Sequence, residues 1–231
     1  MRKMRSIPKK SAIILILLSL LTSCETTPVT KRSQLILIPE SQEIQLGLTA
    51  YQEVLSKSKL STDPEKTAMV RRVGEKIAAV ANQPDYKWEF NLIEDKQVNA
   101  FCLPGGKVAV YTGILPLTQN EAGLATVLAH EVSHATARHG AERMSTGLLA
   151  QLGMAALDVG LAIKGQDPNT IKALNTAYGA GAQVGILLPF SRKQESEADR
   201  IGLTYMAKAG YDPKEALQFW DRMSKLDKKS P

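Results

Sequence analysis

The stretch Ala129-His130-Glu131-Val132-Ser133-His134-Ala135 decides how the rest of this 231-residue chain is read. The residues before it, 121–129, have helical character, and histidines four apart on a helix project from one face. Both imidazoles therefore reach a single metal ion. Glu131 lies next to the first of them, near enough to work on a metal-held water without binding the metal itself. Two protein ligands are one short of the three that a catalytic zinc takes beside its water, so the chain must supply another from elsewhere.

His139 does not fit that need. Five residues after His134, it lies about 140° round a continuing helix, which leaves it a cap, an interface contact or a surface histidine. Positions 137 and 140 are Ala and Gly, so a third histidine at metzincin spacing is absent. Glu195-Ser-Glu-Ala-Asp199 answers better. Glu195 and Asp199 share a helix face while Glu197 points away. One carboxylate can bind the metal, and the other, a turn along, can accept a hydrogen bond from the far nitrogen of a ligating imidazole and so fix its tautomer. Taken alone the cluster reads as an acidic solvated face; downstream of a helical HExxH that reading loses its weight.

Working outward, residues 41–60 and a segment starting at Asp63-Pro64 carry apolar side chains at helical spacing. The alternation Trp88, Phe90, Leu92 marks a half-buried strand, and Pro104-Gly105-Gly106 is a turn into a second strand, 107–112. From Asn120 the chain reads as helical almost to its end, with breaks near Gly140, 165–168, Pro189 and 210–213. The apolar stretches 146–163 and 177–190 read as core or lid helices in preference to membrane spans, because Asp158 and several Gly and Gln residues interrupt them. Apolar residues make up 44% of the chain and aromatics 5%, which suits closely packed helices better than an aromatic-rich sandwich. The expected fold is α+β and predominantly helical, with a small sheet beside the HExxH helix.

The formal charge of +6 comes from one place. Residues 1–23 hold five basic side chains and no acid, leaving 24 basic against 23 acidic in the remainder, so nucleic acid is not an expected partner. A basic start, a ten-residue apolar run and small residues make 1–23 a signal peptide, too short in its apolar part to span a bilayer. Leu21-Thr22-Ser23-Cys24 is similar to a bacterial lipobox, which implies lipidation of Cys24 and a lipid-anchored tether over 24–40 before a metallopeptidase domain at 41–231. Glu25 after the cysteine then implies the bacterial cell envelope, at the periplasmic face of the outer membrane. Cys102 is read as a small buried side chain without a disulfide partner.

HEVSHATARHGAER (130–143), followed about 60 residues on by SRKQESEADRIG (191–202), resembles the gluzincin metallopeptidases of the HtpX, BepA and CAAX prenyl endopeptidase type. The segment 99–115 is similar to theirs as well. The resemblance implies a zincin fold, one Zn2+ per chain on His130, His134 and Glu195, Glu131 as the general base, and Asp199 behind His130. It further implies that strand 107–112, with Gly106, Val108 and Val110, is an edge that pairs with an extended substrate. A downstream histidine common in relatives is absent among the three histidines here, which leaves the oxyanion group open and makes truncation at Pro231 one reading. Arg192 and Tyr178 are the candidates for that group. The implied activity is peptide hydrolysis on unfolded envelope proteins; the alternative is a zinc-containing chaperone or assembly factor for outer-membrane proteins that cleaves little.

Overall fold

The computed structural model describes residues 24–183 and 187–227. In chain order these form β1 (Cys24–Thr26), β2 (Ser33–Leu35), α1 (Glu40–Lys57), α2 (Pro64–Ala81), β3 (Glu89–Ile93), β4 (Ala100–Leu103) and β5 (Lys107–Tyr111). After a 3-10 turn at Thr112–Ile114 come α3 (Leu115–Thr118), α4 (Glu121–Thr136), α5 (His139–Ile163), α6 (Pro168–Ala182), α7 (Leu188–Lys208) and α8 (Glu215–Asp227). The fold is the mostly helical α+β arrangement expected.

α4 begins where the Asn120 side chain accepts a hydrogen bond from the Gly123 amide, satisfying one of the free N–H groups of its first turn. It is apolar nearly all round because it is enclosed nearly all round. Leu124, Leu128 and Val132 are buried among Val73 and Ile77 of α2, Val108 and Val110 of the sheet, Ile201 and Met206 of α7, and Phe219 of α8. α7 comes close to α4 at Gly202, where an added Cβ would stand 3.2 Å from the backbone of Ala129 and His130. The absence of a side chain there lets the helix bearing Glu195 and Asp199 lie against the helix bearing the histidines.

The sheet runs β3-β5-β4, with β3 parallel and β4 antiparallel to β5. Gly105 and Gly106 both take positive φ, 83° and 80°, to turn β4 into β5. This order corrects two expectations. A third strand, β4, lies where the sequence showed only the approach to a turn, because its four half-buried residues carry no alternation. β5 is central and not an edge: Val108 and Val110 are buried, and the Val108 carbonyl accepts from the Tyr51 hydroxyl at 2.9 Å.

Residues 24–40 are not a loose tether. β1 and β2 pair antiparallel, Thr27, Gln34 and Ile36 are buried, and Leu37 N–H donates to Ser145 Oγ at 2.9 Å. The segment lacks periodicity because its order comes from contacts made with residues more than a hundred positions away. The break placed near Gly140 falls at Ala137–Arg138, where Arg138 takes φ 54° between α4 and α5. The stretches read as core or lid behave differently again. Beyond Ser145 no residue of α5 is buried, and α6 has none. The signal-peptide reading of 1–23 lies outside the described residues.

Candidate metal centre

One turn of α4 sets His130 above His134, with their Nε2 atoms 3.1 Å apart. Glu195 Oε2 enters from α7, 3.3 Å from the first Nε2 and 3.5 Å from the second. A tetrahedral ion with bonds of about 2.0–2.1 Å separates its ligand atoms by about 3.3 Å. The three donors thus outline one face of such a tetrahedron, and two imidazoles with a carboxylate are a donor set that suits zinc. The arrangement fits a metal.

The far sides of both rings are also engaged. His130 Nδ1 lies 2.8 Å from Asp199 Oδ1, so the ring donates there and keeps its Nε2 lone pair free. Behind His134 the chain uses residues to which the sequence gave no part in the site. His134 Nδ1 is 2.9 Å from His139 Nδ1, and His139 Nε2 is 3.1 Å from Glu197 Oε2. The tautomers that satisfy every partner have His134 donating to His139 and His139 donating to Glu197. His139 is fully buried, so of its expected roles as a cap, an interface contact or a surface histidine the last is excluded, and it stands within the site after all. The estimate of 140° assumed a continuing helix, and the left-handed Arg138 ends α4 and swings His139 back toward His134.

Glu197 in turn accepts from Thr27, Thr30 and Arg32, the Arg32 Nε contact being 2.6 Å. Arg32 also grips Glu142 through both terminal nitrogens, at 2.6 and 2.7 Å. Gln194 donates to the same Glu142 at 2.9 Å. A chain of polar contacts therefore links the N-terminal hairpin to the His134 ring.

Charge follows this geometry. Hydrogen bonding to His130 leads the effects that bring Glu195 down to about 2, keeping it anionic. Burial takes His134 down to about 4, so its imidazole is neutral near pH 7 and able to serve as a ligand. Burial alone would lower His130 too, but its bonds to Asp199 and Glu195 carry it up to about 9, so its Nε2 must release a proton before it can bind a metal. Glu131 is pushed up to about 7 by burial, opposed by His130 and raised further by Glu195, which is the range of a group that takes and returns protons.

A cavity of about 190 Å³ adjoins this centre, lined by Asn99 and Ala100 at the start of β4, His130 and Glu131 from α4, and Trp220 and Met223 from α8. A second, of about 390 Å³, opens beyond Trp220 between Leu203, Met206 and Leu217. The strand bordering the first cavity is β4, so Gly106, Val108 and Val110 do not form its rim. Neither oxyanion candidate reaches the centre. Tyr178 donates to the Ala150 carbonyl at 3.2 Å, out on α5. Arg192 is exposed and makes no hydrogen bond or ion pair among the described residues. Arg143, just past the first turn of α5, is the arginine whose charge acts on both Glu131 and Glu195. Cys102 is half-buried, its thiol raised well above the usual range by burial, and is free of any disulfide. Cys24 opens β1, its backbone paired with Leu35.

An HExxH helix joined by a glutamate from a second helix, beside a small sheet, is the arrangement of a gluzincin-type metallopeptidase domain. The chain belongs to Peptidase family M48, whose profile matches residues 64–229. It is 40% identical over 209 residues to the mitochondrial metalloendopeptidase OMA1 of Schizosaccharomyces pombe, covering 87% of this chain and 58% of that protein. To OMA1 of Saccharomyces cerevisiae it is 33% identical over 90% of this chain and 61% of that one. The beta-barrel assembly-enhancing protease of Yersinia pestis is 33% identical over 79% of this chain and 38% of its own length. The chain thus spans about 60% of the length of the two OMA1 relatives.

These relatives correct the placement in a bacterial envelope, since the two OMA1 proteins are mitochondrial. The physical reason is that a basic, acid-free start with an apolar run does not by itself name a compartment; transit peptides are also basic and poor in acids. Acylation of Cys24 is read from the lipobox-like residues 21–24, with the placement following from it, and it remains a sequence pattern only.

Proposed function

We propose that this domain is a zinc-dependent endopeptidase in which His130, His134 and Glu195 hold the metal and Glu131 is the general base. The carrying observation is the set of three donor atoms spaced 3.1–3.5 Å apart on two helices, with both histidines fixed from behind. When bound, zinc would acidify a water and polarise the scissile carbonyl. Asp199 and His139 orient the two rings so that each presents a bare Nε2. Glu131, one residue from His130 and lining the adjoining cavity, takes a proton at its carboxylate and delivers it to the leaving amine. Arg143 supplies positive charge on the same side.

An extended polypeptide adds to the outer edge of β4, its backbone pairing with Ala100–Leu103, and sets an apolar side chain in the cavity against Trp220 and Met223. Unfolded proteins are the substrates such an edge admits, because it reads backbone and only a few side chains. Purified protein is expected to hold one zinc per chain, and His134→Ala or Glu195→Ala to lose it, by elemental analysis after dialysis. A parent protein without zinc, or a His134→Ala variant with as much as the parent, ends this reading.

A further inference from the structure

α5 and α6 leave the domain as a helical hairpin whose polarity is reversed. Its polar side chains face each other: Asn175 donates to Asp158 at 2.6 Å, and the Tyr178 hydroxyl reaches the Ala150 carbonyl over Gly153, which has no side chain to obstruct it. Its large apolar side chains face out, Leu148, Leu149, Leu152, Val159, Ile163 and Leu174 all being exposed. Gln151, Lys172 and Thr176 are the polar exceptions on the outward arcs between Leu148 and Ala180, apart from the tip. Residues 146–163 contain one ionisable group, Asp158, and that one is turned inward and paired.

Water selects the opposite pattern. A protein partner would need one apolar face, whereas here the apolar surface continues over the outer arcs of both helices, the condition set by hydrocarbon. Dimensions agree: residues 146–163 span about 27 Å at 1.5 Å per residue, close to the ~30 Å hydrocarbon core. α5 is long and apolar enough to cross a membrane by length and composition. Apart from Lys172, about one turn into α6, and the inward-paired Asp158, charge lies at the ends, with Lys164 and Asp167 at the tip and exposed Arg143, Arg192 and Lys193 at the base. Three cations at the base suit the headgroup level of an anionic bilayer.

We propose that the α5–α6 hairpin inserts into a lipid bilayer, with Arg143, Arg192 and Lys193 meeting anionic headgroups and the metal centre held at the membrane surface. The proposal does not rest on the peptidase reading.

The test reads depth at the hairpin itself, since the N-terminal apolar run could attach the full chain to vesicles by another route. Leu152→Cys and, as a control on α1, Leu46→Cys are made in the full chain with Cys24→Ser and Cys102→Ser, and labelled with an environment-sensitive fluorophore. Vesicles of phosphatidylcholine and phosphatidylglycerol are added, with or without spin label on the acyl chains. The expected result is a several-fold rise in emission with a blue shift at residue 152, quenching by chain-labelled lipid, and loss of iodide access, while residue 46 keeps its aqueous signal. A label at 152 that stays accessible to iodide in the presence of vesicles overturns the proposal. Shielding that needs no lipid and grows with protein concentration also overturns it, and assigns the surface to a second copy of the chain.

Discussion

Replacing Glu131 by Gln is expected to slow cleavage of an unfolded polypeptide by about 10²–10⁴-fold while the variant keeps its zinc and melts no lower than the parent. Glu131 is not among the three donor atoms that converge, so its loss leaves the metal set intact. Its carboxyl is carried up to about 7 first of all by burial, which disfavours its charged form. An amide of the same shape removes that unfavourable charge, so the fold has nothing to lose. What disappears is the site that accepts a proton in one step and returns it in the next. Zinc analysis, thermal melts and a casein-type cleavage assay on the same preparation check all three parts. Turnover within a few-fold of the parent would sink the base assignment. The variant also separates the competing role: a protein that works by binding its clients keeps its cellular function after the Glu131→Gln change, whereas one that works by cleaving them does not.

The parts of the molecule legible in the sequence are those governed by local geometry. His130 and His134 follow from the helical period, and Glu195 and Asp199 from the same period on a second helix that Gly202 allows to dock. Strands β3 and β5 announce themselves by alternation and by the glycine turn. What stayed hidden depends on contacts distant in sequence or on one unusual backbone angle. No periodic rule identifies β5 as the central strand, because strand order is a tertiary choice. His139 was misplaced by a single residue, Arg138, leaving the helical region. A sequence signal did exist there: a short HExxH helix followed within five residues by another histidine, and a second glutamate two positions after Glu195, offer a matched pair on the side of the site opposite Asp199. The packing of residues 24–40 had no such signal. Arg32 looks like any exposed arginine in a polar stretch until Glu142 and Glu197 are seen on either side of it.

That arginine is where the largest loss of stability is expected. Arg32→Met should lower the stability of the domain by about 3 kcal/mol, the low end for breaking a buried ion pair, because the Arg32 side chain is 15% exposed. Its partners are more deeply placed, with side-chain exposures of 4% for Glu142 and 5% for Glu197. Methionine fills much of the same volume, so the loss is electrostatic: two carboxylates remain without the cation between them. Glu197 is brought down to about 2 against the opposing pull of burial, by its bonds to Thr30, Arg32, Thr27 and His139, and loses one of these supports. Adding Glu142→Gln to Arg32→Met removes one of the two stranded charges and should restore part of the stability. The same change should reach the metal. With Glu197 less firmly held, His139 loses its anchor and His134 its fixed orientation, an effect of the size usual for groups behind a metal ligand, about tenfold in zinc affinity. Thermal melts of the zinc-free proteins isolate the first effect, and competition with a chromophoric chelator reads the second. An Arg32→Met protein that melts with the parent shows that the N-terminal hairpin does not hold the fold together. One that melts lower yet binds zinc as tightly shows that the contacts from Arg32 to His134 stop short of the metal.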